Sequence, residues 1–257
     1  MSRARVVLPP VIALAAGLAL WEILARALRA PAYLVPPPSD VARAAIADAP
    51  ALLGASAVTF GSALAGFVLS GIVGVLVAIV LSTSRWLERG FYPYALVLQT
   101  VPIVAIAPLL VLWLGVGPRA VIASAFIVSV FPVIANALSG LRSVDPALRD
   151  LFRLYGAGRL ATLWKLELPS ATIAIATGLR IACGLAVIGA IVGEFVAGFA
   201  EGSPGLGIMV LTSYRQLRTD LLFAAVLCSA ALGIALFVAV SGVTSLLLRR
   251  WGSVGRD

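Results

Sequence analysis

Leu141–Thr172 reads LRSVDPALRDLFRLYGAGRLATLWKLELPSAT, a polar stretch carrying Arg142, Arg149, Arg153, Arg159 and Lys165 between apolar runs of membrane length. A cation at the bilayer centre costs about 2.5–3.5 kcal/mol even on the mildest insertion scale, so the stretch has to stand in water. Within it, Asp145 as a cap and Pro146 at the first helical position predict a short helix to Tyr155. Leu148, Leu151, Phe152 and Tyr155 recur at intervals of three and four, an apolar stripe flanked by Arg149, Asp150 and Arg153. Gly156, with Gly158 close by, breaks the chain, and a second short helix is expected to stop at Pro169. A helix of this kind outside the membrane has to bury its stripe against its own bundle or against a partner.

Outward from this island the chain is apolar. Hydrophobic residues make up 61% of it and charged ones 12%, with mean hydropathy +1.09, whereas a soluble domain is about 25% charged. The reading is an all-α polytopic membrane protein with about six transmembrane helices, since a helical crossing needs roughly 20 residues. The runs lie near Val7–Leu28, Val58–Ser82, Tyr92–Leu114, Ala120–Ser139, Ile173–Gly198 and Leu221–Leu248. The first follows Arg3 and Arg5 but has no convincing cleavage site before Trp21 and Glu22, so it reads as a retained anchor. Three divisions follow: an anchor and periplasmic lead-in over 1–56, a core over 57–250 with the island at 141–172, and a cytoplasmic tail over 251–257.

The cations orient the spans. With the amino terminus inside, Arg3, Arg5, Arg85, Arg89, the five island cations, Arg249, Arg250 and Arg256 fall inside, twelve in all. Arg26, Arg29, Arg43, Arg119, Arg215 and Arg218, six in all, fall outside. This is the bias of the positive-inside rule, and it places both termini and the island in the cytoplasm. The net charge of +8 therefore reports orientation in a lipid bilayer and not a nucleic-acid partner. The chain has no His, which removes a Ser-His-Asp triad, an imidazole metal site and a His relay. Cys183 and Cys228 fall in apolar runs and read as packing residues.

Several polar positions inside or beside the spans are candidates for a translocation path. Pro102 and Pro108 should kink or open the third run, and a break in lipid leaves backbone groups unpaired, so this helix should face other helices or a water-filled path. Gln99 and Thr100 precede that break and Asn136 follows Pro132; they read equally as path lining or as helix-to-helix hydrogen bonds. Arg180 and Glu194, fourteen positions apart, are about 21 Å apart along a helix and need separate explanations. Arg180 reads as an interfacial or structural residue, and Glu194, beside Gly193, as the outer part of a pathway or gate or as a structural residue. Gly178, Gly184, Gly189, Gly193 and Gly198 predict close packing of the fifth span. Outside the membrane, Pro36, Pro37 and Pro38 precede a short amphipathic helix capped by Ser39 or Asp40, and EGSPGLG begins a turn and short helix over Ala200–Arg218.

The order Asp150-Leu151-Phe152, then Gly156, then Leu166-Glu167-Leu168-Pro169 resembles the EAA loop of permease subunits of bacterial ATP-binding-cassette importers. Asp stands for Glu, and Leu151 and Phe152 for two alanines. LVPPPSDV, VPIVAIAPLLVLWLGVG and GEFVAGFAEGSPGLG resemble further segments of the same family, so the likeness covers most of the chain from about Tyr33. It is most similar to the subgroup importing nitrate, taurine, sulfonates and pyrimidine precursors. The resemblance implies a type I importer permease fold in the bacterial inner membrane and a pore formed with a second copy. It also implies two copies of a cytoplasmic ATPase, a binding protein outside, and Leu148, Asp150, Leu151, Phe152, Tyr155, Gly156 and Pro169 as the ATPase-coupling residues. With no GxxxxGK[ST] loop in the chain, ATP and Mg²⁺ belong to the partner, and neither cofactor, metal nor catalytic residue is expected here. A secondary transporter would show repeats and broken helices in both halves. A membrane assembly protein is the other alternative, whereas an intramembrane hydrolase lacks its nucleophile–base pair.

Overall fold

A computed structural model describes residues 3–27, 34–197 and 204–251, with no strand among them. The helices are α1 Arg3–Ala27, α2 Pro38–Ala47, α3 Ala49–Ser82, α4 Arg85–Thr100, α5 Ile103–Leu114 and α6 Pro118–Arg142. They continue with α7 Pro146–Leu154, α8 Arg159–Thr162, a π-helical turn Leu163–Glu167, α9 Leu168–Ala197, α10 Leu206–Arg215 and α11 Thr219–Trp251. Among the described residues, four helical stretches are long and apolar enough to cross a bilayer: Ala49–Ser82, Pro118–Arg142, Arg159–Ala197 and Thr219–Leu248. The first run is the 25-residue helix α1. Gly198, Arg29, Arg256 and most of the tail at 251–257 lie outside the described residues.

The third run is not one span. Val101 and Pro102 are extended (ψ 124° and 121°), so α4 ends at Thr100 and a separate 12-residue helix begins at Ile103. Pro102 breaks the helix, but Pro108 does not: it sits inside α5, and Pro93 and Pro132 sit inside α4 and α6. The division at 56/57 falls inside α3, which runs unbroken from Ala49 to Ser82.

α6 is the centre of the bundle, held between α3 and α9. In lipid there is little hydrophobic drive between helices, so small residues that let backbones approach supply the packing. A Cβ placed at Gly74 of α3 would meet Val133 at 2.8 Å, and one at Gly189 of α9 would meet the Ser124 carbonyl oxygen at 2.8 Å. Gly178 and Gly193 contact α6 in the same way, whereas Gly184 has open space beside it and takes no part. α1 touches the rest through Trp21, whose ring lies 5.5 Å from that of Phe223, and through Glu22.

Two helix ends differ from expectation. α2 begins at Pro38 with Pro37 as its cap, and neither Ser39 nor Asp40 caps it from its own side chain. The Ser39 backbone N–H donates instead to Glu22 Oε2 (3.0 Å) and its hydroxyl to Glu22 Oε1 (2.9 Å), so α1 supplies the cap. The second discrepancy is at Pro169, which does not stop a helix. The chain from Arg159 to Ala197 is one continuous helical rod. The π-helical turn before Pro169, closed by the Leu168 N–H on the Leu163 carbonyl, widens the backbone where the proline ring would otherwise strike the carbonyl four residues earlier.

Candidate functional site

The island is built as its sequence suggests at its start and turn. Asp145 accepts the Ala147 N–H (2.9 Å) and Pro146 is the first residue of α7. At the other end the Ala157 N–H donates to the Phe152 carbonyl and the Gly156 N–H to that of Arg153, both at 2.9 Å. This is a Schellman closure with Gly156 at φ 71°, a conformation that costs a residue with a Cβ about 1–2 kcal/mol.

What α7 does with its stripe was open in the sequence. No residue of α7 is buried. Leu148 and Leu151 are each 45% exposed, Leu154 84% and Tyr155 83%, while Phe152 is half-buried. The helix turns a polar side to its own protein instead. Arg149 Nη2 donates to the Leu141 carbonyl (2.7 Å), and its Nε lies 3.2 Å from Oε1 of the buried Glu167. That ion pair ties α7 to the base of the α8–α9 rod, and Asp150 at the helix surface pairs with Arg153 (3.2 Å). Neither Arg149 nor Glu167 stood out in the sequence as a pair, because no periodicity links residues on two different helices.

The proposed path residues do not converge. Gln99 and Thr100 border an open cavity of about 530 Å³ at the α4–α5 break, closed by Ile127 and Pro132 of α6 and Ile181 of α9. Asn136 does not line it; its Nδ2 donates to the Pro132 carbonyl (2.8 Å), and its Cβ abuts Gly178 at the α6–α9 seam. Arg180 Nε donates to Thr244 Oγ1 (3.1 Å), linking α9 to α11.

Glu194 lies elsewhere again, 3% exposed. Its carboxylate accepts the Thr59 hydroxyl (2.8 and 3.0 Å to the two oxygens) and the Gly207 N–H (2.7 Å), and Thr59 Oγ1 accepts the Leu206 N–H (2.8 Å). The first two amides of α10 are thus satisfied by a carboxylate of α9 and a hydroxyl of α3, at the end of the dipole that favours negative charge. A Cβ at Gly205 would collide with the carboxylate, and one at Gly207 would sit 2.6 Å from the Ile191 carbonyl oxygen. The Gly-Leu-Gly sequence is therefore the imprint of Glu194. Thr59 went unnoticed in the sequence; a lone hydroxyl in a long apolar run was its only signal. Beyond α10, Arg218 bonds Asp48 at the start of α3 (2.7 Å), and that hydrogen bond raises the guanidinium pKa above its ordinary value.

Comparison with known proteins gives a consistent result. The family described as "Binding-protein-dependent transport system inner membrane component" matches residues 70–253. A probable ABC transporter permease protein of Haemophilus influenzae is 34% identical over 91% of this chain and 94% of its own. The formylaminopyrimidine transport permease protein ThiX of Halalkalibacterium halodurans is 31% identical over 96% of this chain and 98% of its own. Among solved structures, a chain of the methionine ABC transporter MetNI in inward-facing form superposes with TM-score 0.60 at 18% identity, covering 76% of this chain and 93% of that one. The last similarity concerns the fold alone.

Proposed function

Because this chain belongs to the family of binding-protein-dependent transport system inner membrane components, and is a permease subunit of an ABC importer, we propose how its parts share the work. The observation that carries the reading is α7, a helix with no buried residue and an outward apolar face. Exposed apolar surface of this kind marks a docking site. Its occupant is a cytoplasmic ATPase subunit, which binds the ATP and Mg²⁺ that this chain does not. Both termini and α7 lie on the cytoplasmic side of the bacterial inner membrane, and α2 and α10 on the side where an external binding protein delivers solute. Two copies of the chain enclose the path. The Arg149–Glu167 pair passes movement of α7 to the Arg159–Ala197 rod, so that the ATPase favours one of two packings of the same helices.

The cavity at the α4–α5 break is the chain's share of the path, with Gln99 and Thr100 as its polar contacts. No cation is among its described lining residues, which favours an uncharged heteroaromatic solute, such as the pyrimidine precursor named for the Halalkalibacterium relative, over a sulfonate or nitrate anion. Asn136, Arg180 and Glu194 hold helices together. The test is uptake by the reconstituted transporter with Gln99→Ala and Thr100→Val. Raised KM for a pyrimidine at unchanged ATPase association is expected, and unchanged kinetics for both variants would remove the cavity from the path. Replacing Leu151 with Glu and measuring co-purification of the ATPase tests the docking reading; full retention of the ATPase would overturn it.

A further inference from the structure

Five arginines from four helices converge beneath α7. Arg85 at the start of α4, Arg142 at the end of α6, Arg149 and Arg153 of α7 and Arg159 of α8 line one cavity of about 450 Å³, and Glu167 is the one carboxylate among its lining residues. The charge is not balanced locally. Arg149 pairs with Glu167, Arg142 with Glu88 and Arg153 with Asp150, but among the described residues Arg85 and Arg159 have no carboxylate within ion-pair distance. Among the described residues, Arg159 donates only to the Ser82 carbonyl (3.3 Å). Hydrogen bonding is incomplete as well: Nε of Arg142 is buried with neither a hydrogen bond nor an ion-pair contact among the described residues. A buried donor left unmade is costly, and guanidinium groups gathered at one cavity repel one another, so the lining favours a multivalent acceptor.

We propose that this cavity binds a phosphate group. Planar guanidinium forks match pairs of phosphate oxygens, one phosphate can accept from several arginines at once, and its charge offsets the unpaired Arg85 and Arg159. The cavity is larger than a phosphate ion and has room for the remainder of a headgroup. Its height also fits a lipid source: it opens where α3 ends and α4 begins, and Trp86, next to Arg85, is 78% exposed, as expected of an indole at the membrane–water boundary. A bound phosphate would join α7 to α4, α6 and α8 at once, holding the docking helix in one orientation toward the bundle. This consequence for coupling rests on the reading of α7 given above, whereas the binding itself does not.

The test therefore uses the full-length permease without its ATPase. Thermal unfolding is followed in detergent with inorganic phosphate against chloride at matched ionic strength, and in nanodiscs of phosphatidylglycerol against phosphatidylcholine. The wild type, Arg85→Gln/Arg159→Gln, the milder Arg85→Gln alone, and Arg43→Gln at the opposite end of the bundle are compared. The wild type and Arg43→Gln are expected to gain about 3 °C or more in Tm from phosphate or from phosphatidylglycerol, and the double variant to lose most of that gain. A gain from phosphatidylglycerol alone identifies a lipid headgroup, and a gain from inorganic phosphate identifies the free ion; both support the site. Equal gains in the wild type and the double variant, or no gain in either medium, overturn it. So does a requirement for Arg85 and Arg159 that appears only when the ATPase is added, since the acceptor would then be an acidic protein surface. Loss of ATPase docking on Leu151→Glu is read independently, so failure of the phosphate site and failure of the docking reading are distinguishable.

Discussion

Glu194 and Gly156 are each required by backbone geometry, in opposite ways. Glu194 places a charged acceptor against donors from two helices, the Thr59 hydroxyl and the Gly207 amide, and hydrogen bonds to charged groups are worth about 1.5–3 kcal/mol. Glu194→Gln retains the volume but turns an amide donor toward a site furnished with donors. The expected outcome is a fall in unfolding free energy of about that size, with uptake reduced only in proportion to the folded fraction. Normal stability with altered uptake would instead make Glu194 a path residue. Gly205→Ala should act in the same direction through its clash with the same carboxylate, and double-mutant coupling between Gly205→Ala and Glu194→Ala measured by thermal unfolding checks the contact. Gly156 differs because no atom lies within 4 Å of a Cβ built there. Only its φ of 71° matters, so Gly156→Ala should cost about 1–2 kcal/mol. Gly156→Val should go further and weaken both ATPase association and uptake, measured separately; normal values for both would show that the turn is not part of coupling.

At the scale of elements, α7 is an amphipathic helix set with its apolar side outward. In a soluble domain the stripe would face the core; here Arg149 takes the inward position and the leucines the outward one. Leu148→Ser/Leu151→Ser should therefore leave thermal stability almost unchanged. The same double variant should weaken ATPase binding about tenfold, since the few interface residues that cost more than about 1 kcal/mol on truncation cluster at the centre of an interface. Arg149→Gln should do the reverse in part, loosening α7 from the bundle while leaving its outward apolar face intact, and faster hydrogen exchange over residues 146–154 is the expected signature. Local rules read the start of α7 and its Schellman end correctly because both are closed by neighbours in sequence. They failed at Pro169 and Pro108, where the structure absorbs the proline: a π-helical turn precedes one, and α5 continues through the other. They also missed the caps of α2 and α10, since the capping oxygens come from Glu22 on α1, and from Glu194 and Thr59 on α9 and α3.

The whole molecule is organised around α6, where close approach to α3 and α9 leaves no room for larger side chains. Gly189→Leu would press into the Ser124 carbonyl and should cost about 1–3 kcal/mol or more, read as loss of folded protein on detergent extraction. The Arg218–Asp48 bridge at the opposite end from α7 is partly exposed, at 44% and 29% for the two side chains. Asp48→Asn should consequently change stability by about 1 kcal/mol or less. Membrane class, the all-α architecture and the polar island were legible in composition and periodicity, because burial in hydrocarbon and the cost of charge there act on each segment separately. The island's helix and turn were legible for the same reason, being closed by local hydrogen bonds. Tertiary structure alone decided the rest: that the stripe of α7 faces away from its bundle, that five arginines share one cavity, and that Gln99 and Thr100 stand apart from Asn136, Arg180 and Glu194. Those outcomes depend on which helices lie side by side, and helix adjacency is fixed by the small-residue contacts of α6 across long sequence separations, which no local pattern encodes.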